Sequence, residues 1–145
     1  MLFKPELAEA ILRGEKTESR RLKRAGDKLV HSAWGVEHAP AVVTAEGRMR
    51  WIVGKTYAIQ PGRGKKAIGR FLLVALREEQ LQEIIQKGAV AEGWPKHSEL
   101  FPTINTRDKA LRWFKSLWDN INKKGARFAD NPAVWVLTFD LWLGD

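Results

Sequence analysis

Residues 11 to 27 read ILRGEKTESRRLKRAGD, where an apolar helical pattern stops at Gly14 and passes at once into a dense set of lysine, hydroxyl, carboxylate and arginine groups. Gly14 suits the left-handed cap that ends a helix. Upstream, Pro5 stands where a first helical turn tolerates it, and Leu7, Ala8, Ile11 and Leu12 repeat with helical spacing, which predicts a short helix over 5–13. Downstream, Thr17, Ser19 and Arg21 alternate with Glu18 and Arg20, a period of two that predicts a strand near 16–24, closed by a turn at Gly26-Asp27. The charged cluster reads as a working site; the plainer reading is a solvated edge, since Lys, Arg and Glu are mostly exposed in any protein.

Working outward, WIVGKTYAI and AIGRFLLVALRE predict strands near 51–59 and 66–76, joined by the glycine-rich basic loop PGRGKK. Residues 31–50 carry Trp34, Gly35, Pro40 and Gly47 with little periodicity, which suits loop and short irregular strand. Leu81, Ile84 and Ile85 share one helical face, predicting a helix over 78–87 capped by Gly88, after which Glu92 is presented from a loop or helix end. Thr106 is a candidate cap for a helix striped by Ala110, Leu111, Phe114, Leu117, Trp118 and Ile121. AVWVLTFDLW, after the break at Asn131-Pro132, is apolar at nearly every position and predicts a central strand over 133–142. With no repeat and no linker, the 145 residues read as a single α+β domain with a small, mainly antiparallel sheet curling toward a partial barrel.

Composition narrows the function classes. The absence of cysteine removes disulfides, thiolate zinc ligands and cysteine nucleophiles, and fits a cytoplasmic protein better than a small secreted one. No stretch approaches the roughly 18 apolar residues of a membrane span, so a membrane is not an expected partner. The net charge of +8 and pI near 10.0 favour a polyanionic partner. Residues 13–28, 48–70 and 107–127 each hold seven basic groups against three, no and two acidic ones, while the segments between them are net acidic. Converging on one face, those blocks would form a groove of positive potential; the alternative is three unrelated solvated surfaces.

Several chemistries lack support. Gly62-x-Gly64-x-x-Ala67 leads into a strand and so lacks the helix of a dinucleotide fingerprint, leaving Arg63, Lys65 and Lys66 as a loop that contacts phosphates or a plain exposed turn. His31, His38 and His97 have no metal-ligand spacing, so neither metal nor cofactor is expected. Serines 19, 32, 98 and 116 lack a nucleophile-elbow context. Trp34, Trp51 and Trp94 are the tryptophans best placed to stack on bases, against a core role for each. The strongest constellation is the opening stretch with Glu92. Lys16, among Arg13, Arg20 and Arg21, has neighbours that would lower its pKa and let it activate Ser19, provided that Lys16 still belongs to the turn after Gly14.

In order along the chain, G-E-K-T-x-S-x-R at 14–21, Gly26-Asp27, A-E-G-W at 91–94 and P-x-V-W-V-x-x-F at 132–139 resemble the ASCH family of the PUA-like superfamily. The extra RWFKSLWDNIN helix makes the chain similar to its longer, phage-type members. The resemblance implies an α+β fold, a small mixed and mainly antiparallel PUA-like β-barrel with flanking helices, whose cleft suits RNA or a nucleoside or nucleotide ligand. Arg13, Thr17, Arg20, Arg21, Lys55, Tyr57, Arg63, Lys65, Lys66 and Trp94 are the candidate nucleic-acid contacts. The resemblance also implies two activities: an amidohydrolase acting on N4-acylated cytidine, with Lys16 as base, Ser19 as nucleophile and Glu92 as proton donor, or a ribonuclease in which Lys55 or Lys65 and Tyr57 assist the 2′-hydroxyl.

Overall fold

The computed structural model describes residues 1–33, 36–95 and 109–144, with backbone alone described at 32, 33 and 36–38. Trp34, His97, Ser98 and the Thr106 cap, and the side chains of Ser32 and His38, lie outside the described residues. The chain runs α1 (Pro5–Leu12), β1 (Glu18–Leu22), β2 (Lys28–Ala33), β3 (Val36–Val43), β4 (Met49–Ile52), β5 (Thr56–Ile59), β6 (Gly69–Gln80), α2 (Gln86–Ala91), α3 (Lys109–Ile121) and β7 (Ala133–Trp142).

β7 is a central strand, as its unbroken apolar run predicts. It pairs antiparallel with β1 on one side and β6 on the other, and β5 completes a four-stranded sheet in the order β1-β7-β6-β5. Val134, Trp135, Val136 and Leu137 are all fully buried, so both faces of the sheet are covered. β2, β3 and β4 form a second antiparallel sheet. The two meet where the Gly54 N–H donates to the Leu73 carbonyl at 2.8 Å and the Leu73 N–H to the Lys55 carbonyl at 3.0 Å. The α+β class and the antiparallel pairing match expectation. The barrel is, among the described residues, two abutting sheets rather than a closed cylinder.

Three local expectations are corrected. Residues 31–50 hold regular strands whose period of two is hidden by register shifts, one in the stretch containing Pro40 and one between Val42 and Val43. The predicted strand 51–59 divides into β4 and β5, because Gly54 adopts φ +93° and turns the chain. The predicted helix 78–87 is instead the end of a 12-residue β6, a single 3-10 turn at Leu81–Glu83, and then α2. Pairing of Glu78, Glu79 and Gln80 with Trp135, Val134 and Ala133 overrides the helical spacing of Leu81, Ile84 and Ile85.

One buried carboxylate ties the sheets to each other. Asp27 Oδ2 accepts the Arg24 N–H at 2.9 Å, the Trp135 indole N–H at 3.0 Å and Arg50 Nη1 at 2.8 Å, joining the β1–β2 turn, β7 and β4. Burial alone would raise its pKa, but these donors outweigh it and hold the carboxyl below its ordinary value. Arg50 reaches Asp27 from a bulge: Val42 faces Trp51 and Val43 faces Met49, so Arg50 is the extra residue and its side chain is re-aimed.

Asp27→Asn is expected to cost about 2–3 kcal/mol in urea unfolding, as it replaces a buried charged acceptor of three donors by a neutral one. Because the folded-state pKa lies below the unfolded value of about 3.9, the stabilisation is complete above that value and is lost as the pH falls through the lowered one. The gap between wild type and variant should therefore narrow in acid. Equal stability of the two at neutral pH would contradict the assignment.

Candidate functional site

Gly14, at φ +76°, ends α1, and the N–H groups of Glu15 and Lys16 both return to the Ala10 carbonyl, at 2.9 and 3.2 Å. Lys16 thus belongs to the helix-terminating turn. The next residue clamps it, since the Thr17 N–H donates to the Ala91 carbonyl at 2.8 Å and the Thr17 carbonyl accepts the Phe139 N–H at 3.0 Å. Between these anchors the Lys16 side chain points inward and is 2% exposed. Its ammonium donates to the carbonyls of Glu18 at 2.6 Å and Glu92 at 2.9 Å and to Glu92 Oε1 at 3.1 Å, which occupies all three donors. Burial lowers the Lys16 pKa; Glu92 opposes that, and Arg21 and Arg20 add to it.

Glu92 caps the C-terminal end of α2 and is 4% exposed. Its second oxygen accepts Arg20 Nη1 at 3.1 Å, and Arg20 also donates to Glu79 Oε1 at 3.0 Å and Glu18 Oε1 at 3.1 Å. Burial works against the Arg20 charge, but Glu92, Glu79 and Glu18 outweigh it and raise its pKa. Two glycines make room for the network. A Cβ on Gly88 would lie 2.8 Å from Arg20 Nη2, and one on Gly93, which adopts φ +110°, would lie 3.3 Å from Lys16 Cβ and 3.1 Å from Leu7 Cδ2. Gly88 is therefore needed inside α2, where the sequence suggested a cap.

β1 is the edge strand of its sheet, and a cavity of about 680 Å³ wraps around it. Ser19 and Arg21 stand two apart on one face of the strand. Arg21 Nε donates to Ser19 Oγ at 3.2 Å and its Nη2 to the Leu2 carbonyl at 2.7 Å, with the guanidinium 4.9 Å from the Phe3 ring centroid. Burial lowers the Arg21 pKa to about 10, against the pull of Glu92 and with repulsion from Arg50, so it stays cationic at neutral pH. Lys16, Ser19 and Glu92 all line the cavity. The hydrogen bonds join Lys16 to Glu92 and Ser19 to Arg21, and no described one joins Lys16 to Ser19.

The other sequence candidates disperse. Arg20 and Arg21 line the cavity; Arg13, Thr17, Lys55, Tyr57, Arg63, Lys65, Lys66 and Trp94 are not among its lining residues. Arg13 is an exposed partner of Glu15 at 3.2 Å. Thr17 acts through its backbone. The Tyr57 hydroxyl accepts the Ile52 N–H at 2.8 Å and its ring leans on Phe71, which turns it into the connection between β4 and β5. Trp94 is buried in the cluster between α2 and α3, and Trp51 in the main core. Arg63, Lys65 and Lys66 sit on the loop whose Pro61 and Gly62 reach the cavity edge.

Sequence reasoning missed Arg24 and Arg50 and assigned the whole α3 stripe to the core. Phe114, Leu117, Trp118 and Ile121 also form the apolar wall of the cavity. Their spacing marks a buried face equally well whether it meets protein or ligand.

No family model matches the chain, and no curated protein matches it. Among solved structures, the ASCH domain from Lactobacillus crispatus JV V101 matches over 93% of this chain and 69% of its own, with 20% identity and a TM-score of 0.51. A DUF984 protein from Enterococcus faecalis V583 matches over 96% of this chain and 73% of its own, with 14% identity and a TM-score of 0.48. The chain therefore shares the α+β fold of that ASCH domain.

Glu92→Gln is expected to cost about 3–5 kcal/mol in urea unfolding, because it strands two buried cations. Lys16→Met should cost less, since Glu92 keeps Arg20. A larger loss for Lys16→Met than for Glu92→Gln would contradict this view of the network.

Proposed function

We propose that the cavity around β1 binds a nucleobase-bearing ligand, as RNA or as a free nucleoside or nucleotide. The observation that carries this is the union, in one space of about 680 Å³, of an apolar wall from α3, a buried polar floor at Lys16, Glu92 and Arg20, and an arginine on β1. A base has apolar faces and donor and acceptor edges, and unstacked bases are recognised by just such a pairing of surfaces. The net charge of +8 and the exposed Arg63, Lys65 and Lys66 beyond the cavity edge favour a ligand with a phosphate backbone. Titration of labelled single-stranded RNA should give an affinity that falls steeply with salt and about tenfold or more on Arg21→Gln. Absence of binding at low salt, or an unchanged affinity for Arg21→Gln, would sink the reading.

A second reading, hydrolysis of an N4-acylated cytidine, is favoured by the lowered pKa of Lys16 and by the Arg21 N–H held on Ser19 Oγ, which would steady an alkoxide. In it Lys16, as the neutral amine, takes the serine proton while Ser19 Oγ attacks the acyl carbonyl, the proton passes through Glu92 to the departing amine, and water then releases the acid. Lys16 would first have to give up one of its present acceptors to reach Ser19. Incubation with N4-acetylcytidine, followed by chromatography for free cytidine, should show turnover that Ser19→Ala abolishes. No turnover by the wild type at high protein concentration removes this reading and leaves binding intact.

A further inference from the structure

The charged groups that line or border the cavity fall into two sets. In the first, the cations of Lys16 and Arg20 are matched by Glu92, Glu18 and Glu79. In the second, Lys4, Arg21, Arg24 and Arg50 all line the same space. Among the described residues one carboxylate, Asp27, ion-pairs within that group, and it pairs with Arg50 at 2.8 Å. Lys4, Arg21 and Arg24 have no described carboxylate within ion-pair distance. Asp27 Oδ2 has in addition the Trp135 indole and the Arg24 amide to satisfy.

The group is built, not a chance crowd of surface lysines. Arg21 is fixed by Ser19 and the Leu2 carbonyl. Arg50 is aimed by the bulge in β4, donates to the Leu22 carbonyl at 3.0 Å, and lies with its guanidinium 4.1 Å from the Trp51 ring centroid. Arg24 enters from the β1–β2 turn and is exposed. The like charges act on one another: Arg24 lowers the Arg50 pKa and Arg50 that of Arg21, each after burial. Three guanidinium groups from three chain segments suit an anion with several oxygens pointing in different directions, which a phosphoryl group offers and a planar carboxylate does not.

We infer that Arg21, Arg24 and Arg50, with Lys4, form a phosphate subsite, and that the ligand is a phosphorylated nucleoside lying with its base toward Glu92 and its phosphate toward these cations. This rests on the nucleobase reading of the cavity. The charges around Glu92 are paired with one another whereas those of the arginines are largely not, so a phosphate is drawn to the arginines and the base is left to the Glu92 side. The phosphate is carried either by a free mononucleotide or by the end of an RNA chain; the subsite chemistry is the same.

The test is calorimetric titration of the wild type and Arg24→Gln with the four common ribonucleosides and their 5′-monophosphates, and with a short single-stranded RNA with and without a 5′-phosphate. Arg24 is exposed and its side chain makes no described hydrogen bond, so the substitution leaves the fold alone. At low salt at least one phosphorylated probe should bind about tenfold or more tighter than its unphosphorylated partner, and Arg24→Gln should lower its affinity about threefold to tenfold without changing that of the partner. A gap in the mononucleotide pairs identifies a free nucleotide, and a gap confined to the oligonucleotide pair identifies an RNA end; either supports the subsite. Equal binding with and without phosphate overturns it while leaving the nucleobase reading in place, as does an equal loss for both partners in Arg24→Gln. No binding by any probe overturns both.

Discussion

Two cations buried beside Glu92 set the constraint on which the candidate site depends. An ammonium and a guanidinium withdrawn from water are tolerated only where carboxylates and carbonyls meet their donors, and removing one partner strands the others. Lys16 comes from the turn after α1, Glu92 from the end of α2, Arg20 from β1 and Glu79 from β6, so this requirement ties four chain segments to one point. Gly88 and Gly93 are the steric counterpart, because a Cβ on Gly88 would collide with the Arg20 guanidinium and one on Gly93, held at φ +110°, would crowd Lys16.

β1 is suspended between two such hubs. At its start lies the Lys16–Glu92–Arg20 network, and beyond its end Asp27 gathers Arg50, Trp135 and the Arg24 amide. Its inner edge is zipped to β7 from Glu18 to Leu22. A short edge strand held at both ends is a rigid support for the polar groups that face the cavity, and α3 closes the space opposite with an apolar wall. Rigid placement of a few polar groups against apolar surface is the general design of a small-molecule or base pocket.

Much of this was legible in the chain. The central position of β7 follows from a run with no polar face, and the inward turn of Lys16 follows from a glycine at the point where an apolar helix gives way to alternation. The joining of Glu92 to Lys16 came from the ordered resemblance of short motifs, since no local pattern links positions 76 residues apart. What escaped notice has physical causes. Arg50 owes its direction to a bulge, which a period-two reading places on the wrong face. The helical spacing of Leu81, Ile84 and Ile85 lost to sheet pairing further along β6, a tertiary effect invisible locally. The apolar positions of α3 serve core and cavity with one stripe.

The central claim is that the space around β1, bounded by the buried network and the arginines, is where the ligand sits. Backbone amide NMR of the labelled protein, titrated with each of the four ribonucleoside 5′-monophosphates, tests it most directly. Shifts clustered at Ser19 to Leu22, Arg24, Arg50 and Leu117 to Ile121 are the expected result. Shifts confined to the loop from Gly62 to Lys66, or spread over β2 and β3 with the cavity residues unmoved, would contradict it.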